Sequence, residues 1–234
     1  MQCEQPWEFD LMTDKIAGFD LAKAFEYENA FYATSDATRI AKIIAHYELY
    51  KMITGLPGAV VECGVYKGVS LARFSTFRQL CENADSRKII GFDAFGKFPE
   101  HGDAADHKFI KHFENVGGDG LSQEAIQTML AHKGFRNIEL IAGDICVTVP
   151  QYCASHLELK IALLHIDVDV YAPTVAILDS MFSRVVRGGL IVLDDYGTIA
   201  GETRAVDEFL ARQATPVRIS KLPLARVPAY IRIE

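Results

Sequence analysis

Residues 161–169 read Ile161-Ala162-Leu163-Leu164-His165-Ile166-Asp167-Val168-Asp169, an apolar run that stops on acids. A run this short and this apolar fits a strand buried on both faces. Similar runs come earlier, at Val60-Val61-Glu62-Cys63-Gly64, Ile89-Ile90-Gly91-Phe92 and Ile138-Glu139-Leu140-Ile141, and one comes later, at Leu190-Ile191-Val192-Leu193. Helix-spaced apolar residues lie between most of them, including residues 69–80, 122–132 and 174–186. This alternation predicts an α/β fold, a doubly wound parallel sheet with helices on both faces. The end of the chain breaks the rhythm. Val217-Arg218-Ile219 and Tyr230-Ile231-Arg232-Ile233 leave no room for a crossover helix and are expected to pair antiparallel.

Working outward, residues 1–57 read as a mostly helical cap. Ile40, Ile43, Ile44, Tyr47 and Tyr50 recur there at helical spacing after the capping candidates Ser35 and Asp36. Residues 58–234 form the α/β unit, and the whole is expected to be one globular body. Residues 96–120 carry several glycines, Pro99 and three histidines, and predict an excursion from the sheet able to act as a lid. Half the residues are hydrophobic, enough for a sizeable core. A net charge of −7 argues against nucleic acid or anionic lipid as partners and in favour of a small molecule. Five scattered cysteines without metal-type spacing read as reduced thiols. With no signal-like N-terminus and no membrane-length apolar run, they suggest a cytoplasmic protein. The N-terminal helices are the expected surface for a homodimer or larger homo-oligomer.

Ligands of open parallel sheets bind outside the carboxyl ends of the strands. Here those ends are acidic: Glu62, Asp93, Asp144, Asp167 with Asp169, and Asp194-Asp195. Glu62-Cys63-Gly64-Val65-Tyr66-Lys67-Gly68 is an E-x-G-x-x-x-G turn whose glycines permit close approach of a ligand. The first glycine of a dinucleotide fingerprint is replaced by glutamate, which weakens the case for an NAD-linked or nucleotide-sugar oxidoreductase. Asp93 suits the two hydroxyls of a ribose, and Asp144 suits an adenine amino group. The plainer alternative is that such acids cap helices. Asp167, Asp194 and Asp195 on neighbouring strands would repel one another strongly, and a hard divalent cation such as Mg²⁺ is the usual resolution. Asp169 has the alternative role of capping a helix begun by Pro173. His165 reads as a neighbouring or core histidine more readily than as a ligand. Tyr171, Tyr196 and Arg204 follow the acids and either line an acceptor pocket or serve packing and surface ion pairs.

These residues resemble the macrocin O-methyltransferase family. The resemblance rests on Val61–Gly68, Gly91-Phe92-Asp93-Ala94-Phe95 with Phe98-Pro99, and Gly143-Asp144. It rests most on His165-Ile166-Asp167-Val168-Asp169-Val170-Tyr171 and Gly188-Gly189-Leu190-Ile191-Val192-Leu193-Asp194-Asp195-Tyr196, with Gly201–Asp207 following. It covers residues from about 30 to 210. It implies a class I methyltransferase fold, a Rossmann-like seven-stranded sheet with the last strand antiparallel, and S-adenosylmethionine as cofactor. Glu62, Gly64, Asp93 and Asp144 are then the core of the cofactor site. Tyr66, Gly68, Ser70, Ala94, Phe95, Ile145 and Asp167 complete it, and Asp167, Asp194 and Asp195 hold Mg²⁺.

The implied reaction is methyl transfer to a small-molecule hydroxyl, by analogy that of a deoxysugar or nucleotide-linked sugar. Asp167 and Asp169 are the candidate bases and His165 a third. Catechol-type relatives place a lysine three residues beyond the first metal aspartate. Val170 stands there, so the acceptor need not be a catechol. Tyr32, Arg39, Phe95, Lys97 and His101 are positions for acceptor contacts. A non-catalytic module that keeps the cofactor fold would lack the metal acids, which are all present.

Overall fold

The computed structural model describes residues 15–99 and 104–234. The first fourteen residues of the N-terminal cap, with Cys3, and also His101 lie outside the described residues. Within them the cap opens on a two-stranded antiparallel ribbon, β1 (Lys15–Ile16) with β2 (Phe19–Asp20), where helix was expected. Helices α1 (Ala24–Thr34) and α2 (Ala37–Lys51) follow. Asp36 caps α2 by accepting from the Thr38 amide at 2.8 Å.

The α/β unit then runs β3 (Ala59–Cys63), α3 (Val69–Cys81), β4 (Ile89–Asp93), α4 (Ala104–Gly117), α5 (Gln123–His132), β5 (Ile138–Ala142) and α6 (Ile145–Ser155). It continues through β6 (Ile161–Ile166), α7 (Tyr171–Met181), β7 (Val185–Leu193), α8 (Ala200–Ala211), β8 (Ile219–Lys221) and β9 (Ala229–Arg232). The seven-stranded sheet has the order β5-β4-β3-β6-β7-β9-β8. β3 to β7 are parallel, and β9 runs antiparallel between β7 and β8. The expected terminal hairpin is therefore present. The crossover direction reverses between β3 and β6, which places the ligand crevice there.

One face of the sheet packs α2, α3 and α5 through residues such as Leu49, Phe74 and Ile126. The other packs α6, α7 and α8 through Val149, Ile177 and Val206. Every residue of β3 and β6 is buried, as a strand covered on both faces requires. One expected helical pattern is corrected and one refined. Residues 174–186 do not form one helix: α7 starts earlier, taking Pro173 into its first turn, and β-branched Val185 and Val186 open β7. The buried face of α2 is Ala45, His46, Leu49 and Tyr50, continuing to Ile53 beyond the helix, whereas Ile44 is 45% exposed. Ile44 alone of the five expected apolar positions is exposed, since Tyr50 is buried and Ile43 and Tyr47 pack partly buried against the same core, to which His46 adds a polar residue.

The far end of α2 is anchored by a buried pair. Arg87 reaches Glu82 through Nη2 at 2.6 Å and Nε at 2.8 Å, the two side chains being 3% and 8% exposed. Arg87 also donates to the carbonyls of Ile53 and Gly58, and the Tyr50 hydroxyl donates to Glu82 at 2.6 Å. Removing one partner would leave a buried charge without compensation, which costs far more than the pair contributes net. Glu82→Ala should lose about 3–5 kcal/mol in chemical denaturation. A loss below about 1 kcal/mol, the range of exposed ion pairs, would contradict this role.

Candidate active site

At the carboxyl ends of β3, β4, β5, β6 and β7 lies a cavity of about 660 Å³. Its floor begins at the turn after β3. Gly64 holds φ +95°, and a Cβ there would stand 1.7 Å from the Asp167 carbonyl oxygen, so only glycine fits. Gly68, at φ +75°, starts α3. Asp93 organises this turn: its carboxylate accepts from the amides of Val65 (2.7 Å), Tyr66 (2.8 Å) and Phe95 (2.6 Å). Asp144 caps α6 by accepting from the Cys146 amide and also lines the cavity.

Of the expected cofactor contacts, Gly64, Tyr66, Ser70, Asp93, Ala94, Asp144, Ile145 and Asp167 line the cavity. Glu62, Gly68 and Phe95 do not. Glu62 is fully buried and does not line the cavity; among the described residues neither of its oxygens has a hydrogen-bond partner, and His165 Nδ1 stands 3.4 Å from Oε1.

The metal-type acids converge. Asp167, Asp194 and Asp195 each place a carboxylate oxygen within 4.8 Å of the others, and all three line the cavity. Neither Asp169 nor the Asp194-Asp195 pair caps a helix, since α7 and α8 are preceded by Val170 and Ile199. Asp169 takes φ +63° and turns into the same cavity beside Asp195.

Desolvation, then the Asp194 charge, pushes the Asp167 carboxyl well up; desolvation, then Asp195, does the same to Asp169. Glu202 lies against this group, accepting from the Asp195 amide, and burial raises its carboxyl as well. Asp194 goes the other way. Desolvation opposes its charge, but the His165 and His46 imidazoles and the Lys42 ammonium outweigh that and hold it well below the usual range. His165, with Nε2 3.3 Å from Asp194, would be lowered by burial; the carboxylates on its two sides prevail and lift it to about 10. It is an imidazolium at neutral pH and a poor proton acceptor.

The excursion at 96–120 is a helical roof. Phe98 and the α4 residues Phe109, His112, Phe113 and Val116 line the cavity opposite the acids. Tyr66 hydroxyl and Lys67 Nζ both donate to the Gly117 carbonyl at 2.5 Å, and Asp106 accepts from the Tyr171 amide. Arg39 and Lys97 line the cavity as expected, whereas Tyr32 is 62% exposed on α1. Tyr171, Tyr196 and Arg204 are not among its lining residues. Tyr171 hydrogen-bonds Glu208 and lies under the Arg204 guanidinium at 3.9 Å, and Tyr196 hydrogen-bonds Asp207.

Sequence reasoning missed Lys42, His46 and Arg73. Arg39, Lys42 and His46 recur at i, i+3 and i+7 on α2, a polar stripe at helical spacing that was the available signal.

His46 supplies a pH test. It is fully buried, and burial lowers it from 6.5 to about 4, despite Asp194 at 3.4 Å. Between those values the unfolded chain holds the extra proton, so stability is present above pH 6.5 and drains away as pH falls toward 4. Wild type should lose about 3 kcal/mol more than His46→Gln across that window in denaturant titrations. Parallel profiles for the two proteins would refute the assignment.

A sequence model of the macrocin-O-methyltransferase (TylF) family matches residues 35–227. The chain is 27% identical over 164 residues to demethyldecarbamoylnovobiocin O-methyltransferase of Streptomyces niveus, covering 67% of this chain and 60% of that protein. It is also 27% identical over 176 residues to the 8-demethyl-8-(2,3-dimethoxy-alpha-L-rhamnosyl)-tetracenomycin-C 4'-O-methyltransferase of Streptomyces olivaceus, covering 72% and 64%. The chain therefore spans just under two thirds of the length of these curated relatives. Among solved structures, it is similar to CalS11, calicheamicin methyltransferase, with TM-score 0.66, 25% identity and coverage of 89% and 84%. It shares its fold with the O-methyltransferase NovP, at TM-score 0.72, 22% identity and coverage of 83% and 81%. The family match runs from the start of α2 to the loop before β9, taking in the glycine turn, all the cavity acids and the roof, and the chain belongs to the macrocin-O-methyltransferase family.

Proposed function

We propose that this protein is an S-adenosylmethionine-dependent, cation-assisted O-methyltransferase acting on a sugar hydroxyl, that of a deoxysugar or nucleotide-linked sugar in a natural-product pathway. The observation that carries the reading is the convergence of Asp167, Asp194 and Asp195 within 4.8 Å, in the wall of the same cavity that runs along the Gly64 turn and Asp93. One cavity thus has room for a nucleoside-bearing cofactor and a coordinated acceptor side by side. The names of the relatives, which include a demethyldecarbamoylnovobiocin O-methyltransferase, a rhamnosyl-tetracenomycin-C 4'-O-methyltransferase and a TDP-rhamnose 3'-O-methyltransferase, support a sugar hydroxyl.

The donor set fits Mg²⁺. The ligands are hard oxygens, and the Asp167 carboxylate accepts no hydrogen bond from the described residues. Bound there, S-adenosylmethionine supplies an electrophilic methyl group, and the cation supplies charge that acidifies a hydroxyl. The chain does the rest. Gly64 lets the backbone approach the cofactor closely, and Asp93 keeps one acceptor site for a ribose hydroxyl beyond the three amides it already binds. The Phe98, Phe109 and Phe113 side of the cavity excludes water and offers apolar faces to a sugar ring. Asp169, at the cavity wall beside Asp195, is the group placed to take the hydroxyl proton when in its carboxylate form; His165, already protonated, instead holds Asp194 in place.

Calorimetric titration of S-adenosylmethionine and then Mg²⁺ tests this. Wild type should bind both, Asp93→Ala should lose the cofactor, and Asp194→Ala/Asp195→Ala should lose only the cation. A ligand-free wild type that binds no S-adenosylmethionine sinks the proposal. Binding of both without turnover on any sugar hydroxyl would leave a cofactor-binding module.

A further inference from the structure

Lys42 reaches into the acidic cluster from a separate layer of the molecule. It projects from α2, and its ammonium pairs with Asp194 Oδ2, the two side chains being 28% and 2% exposed. The charges of Asp167 and Asp195 act on it as well. The other oxygen of Asp194, Oδ1, faces two imidazoles, His165 at 3.3 Å and His46 at 3.4 Å. Both oxygens of this central carboxylate therefore already have partners within the chain. Oδ1 is sealed between buried rings, with His46 stacked on Phe74 at 5.3 Å and edge-on to His165 at 5.2 Å. Oδ2 is held only by a partly exposed ammonium on a four-carbon stem. Lysine is a compact charge with freely rotating bonds, unlike the rigid fork of arginine, so it can withdraw from Asp194 while its backbone stays fixed.

We propose that Lys42 is a built-in counter-ion of the aspartate cluster, which competes with a divalent cation for Asp194 and so weakens cation binding. The inference rests on the reading that Asp167, Asp194 and Asp195 hold that cation. A cation entering the cluster through Oδ2, the oxygen that the buried rings leave open, must displace or repel the ammonium. The lysine thus keeps the cluster near neutrality when no cation is bound and sets how tightly one binds. Its place on the helical cap, opposite the strand ends, ties cation affinity to the seating of α2 on the sheet.

The test compares wild type with Lys42→Met, which keeps the length of the side chain and removes its charge, and with Lys42→Arg, which keeps the charge. Mg²⁺ and Mn²⁺ are titrated into each by calorimetry, and melting is followed in EDTA and in excess Mg²⁺. Removal of a like charge at contact distance should tighten Mg²⁺ about tenfold or more in Lys42→Met, with Lys42→Arg, which keeps the charge on a more rigid fork, no tighter than wild type. Lys42→Met should also melt below wild type in EDTA and gain more from Mg²⁺. Cation binding by Lys42→Met but not by wild type supports the proposal equally. Equal affinities, or weaker binding by Lys42→Met, overturn it while leaving the cation site standing. Absence of binding in all three overturns both it and the cation reading. Should Lys42→Met not fold, Lys42→Gln carries the same comparison with the same outcomes.

Discussion

Two like unit charges 4 Å apart repel by about 4 kcal/mol at an effective dielectric of 20, and Asp167, Asp194 and Asp195 bring three carboxylates to about that separation. Asp169 and Glu202 stand against the same group. Domain stabilities are only about 5–15 kcal/mol, so such a cluster requires compensation. The surrounding chain supplies part of it. His165 carries a positive charge between Glu62 and Asp194, Lys42 covers Asp194 from outside, and Asp167, Asp169 and Glu202 are driven toward their protonated forms. What the chain does not neutralise is the electrostatic basis of the proposed cation site, which lies beside the Gly64 turn in the same cavity.

The fold explains why the acids meet. In a parallel sheet all the strands deliver their carboxyl ends to one edge, and the order β3-β6-β7 makes neighbours of residues that are distant in sequence. Register completes the alignment, with Glu62 beside His165 and Ile166 beside Leu193, so that Asp167 and Asp194 leave adjacent strands at one level. The roof closes over this edge because Tyr66 and Lys67, in the glycine turn itself, bind the last carbonyl of α4. The glycine turn and the roof over the cavity are therefore mechanically joined.

The sheet, its acidic edge and the terminal hairpin were legible because buried parallel strands read as apolar runs and because the acids follow those runs directly. Other features depend on tertiary contacts that leave little local trace. Lys42 and Asp194 lie 152 residues apart, and nothing at either position announces the other. On α2 the apolar spacing found Tyr50 and the partly buried Ile43 and Tyr47 but not His46, which is polar yet fully buried, satisfying an electrostatic need rather than a hydrophobic one. The burial of Glu62 was hidden for a related reason. Its neighbours make it a strand-end acid, but strand alternation sends its side chain to His165. For Tyr171 and Arg204 sequence spacing left pocket and surface packing open, and the stacking of the Arg204 guanidinium on the Tyr171 ring, with the Tyr171 hydroxyl on Glu208, answers to the second.

The central claim is that one strand edge builds a cofactor site and a cation site within a single cavity. Crystals grown with S-adenosylhomocysteine and Mn²⁺, measured at the manganese absorption edge, test it most directly. The account predicts an anomalous peak among the carboxylates of Asp167, Asp194 and Asp195, with the nucleoside lying along the Gly64 turn beside Asp93. A peak at the buried His46, His165 and Asp194 group instead, or a nucleoside bound outside this cavity, would contradict it.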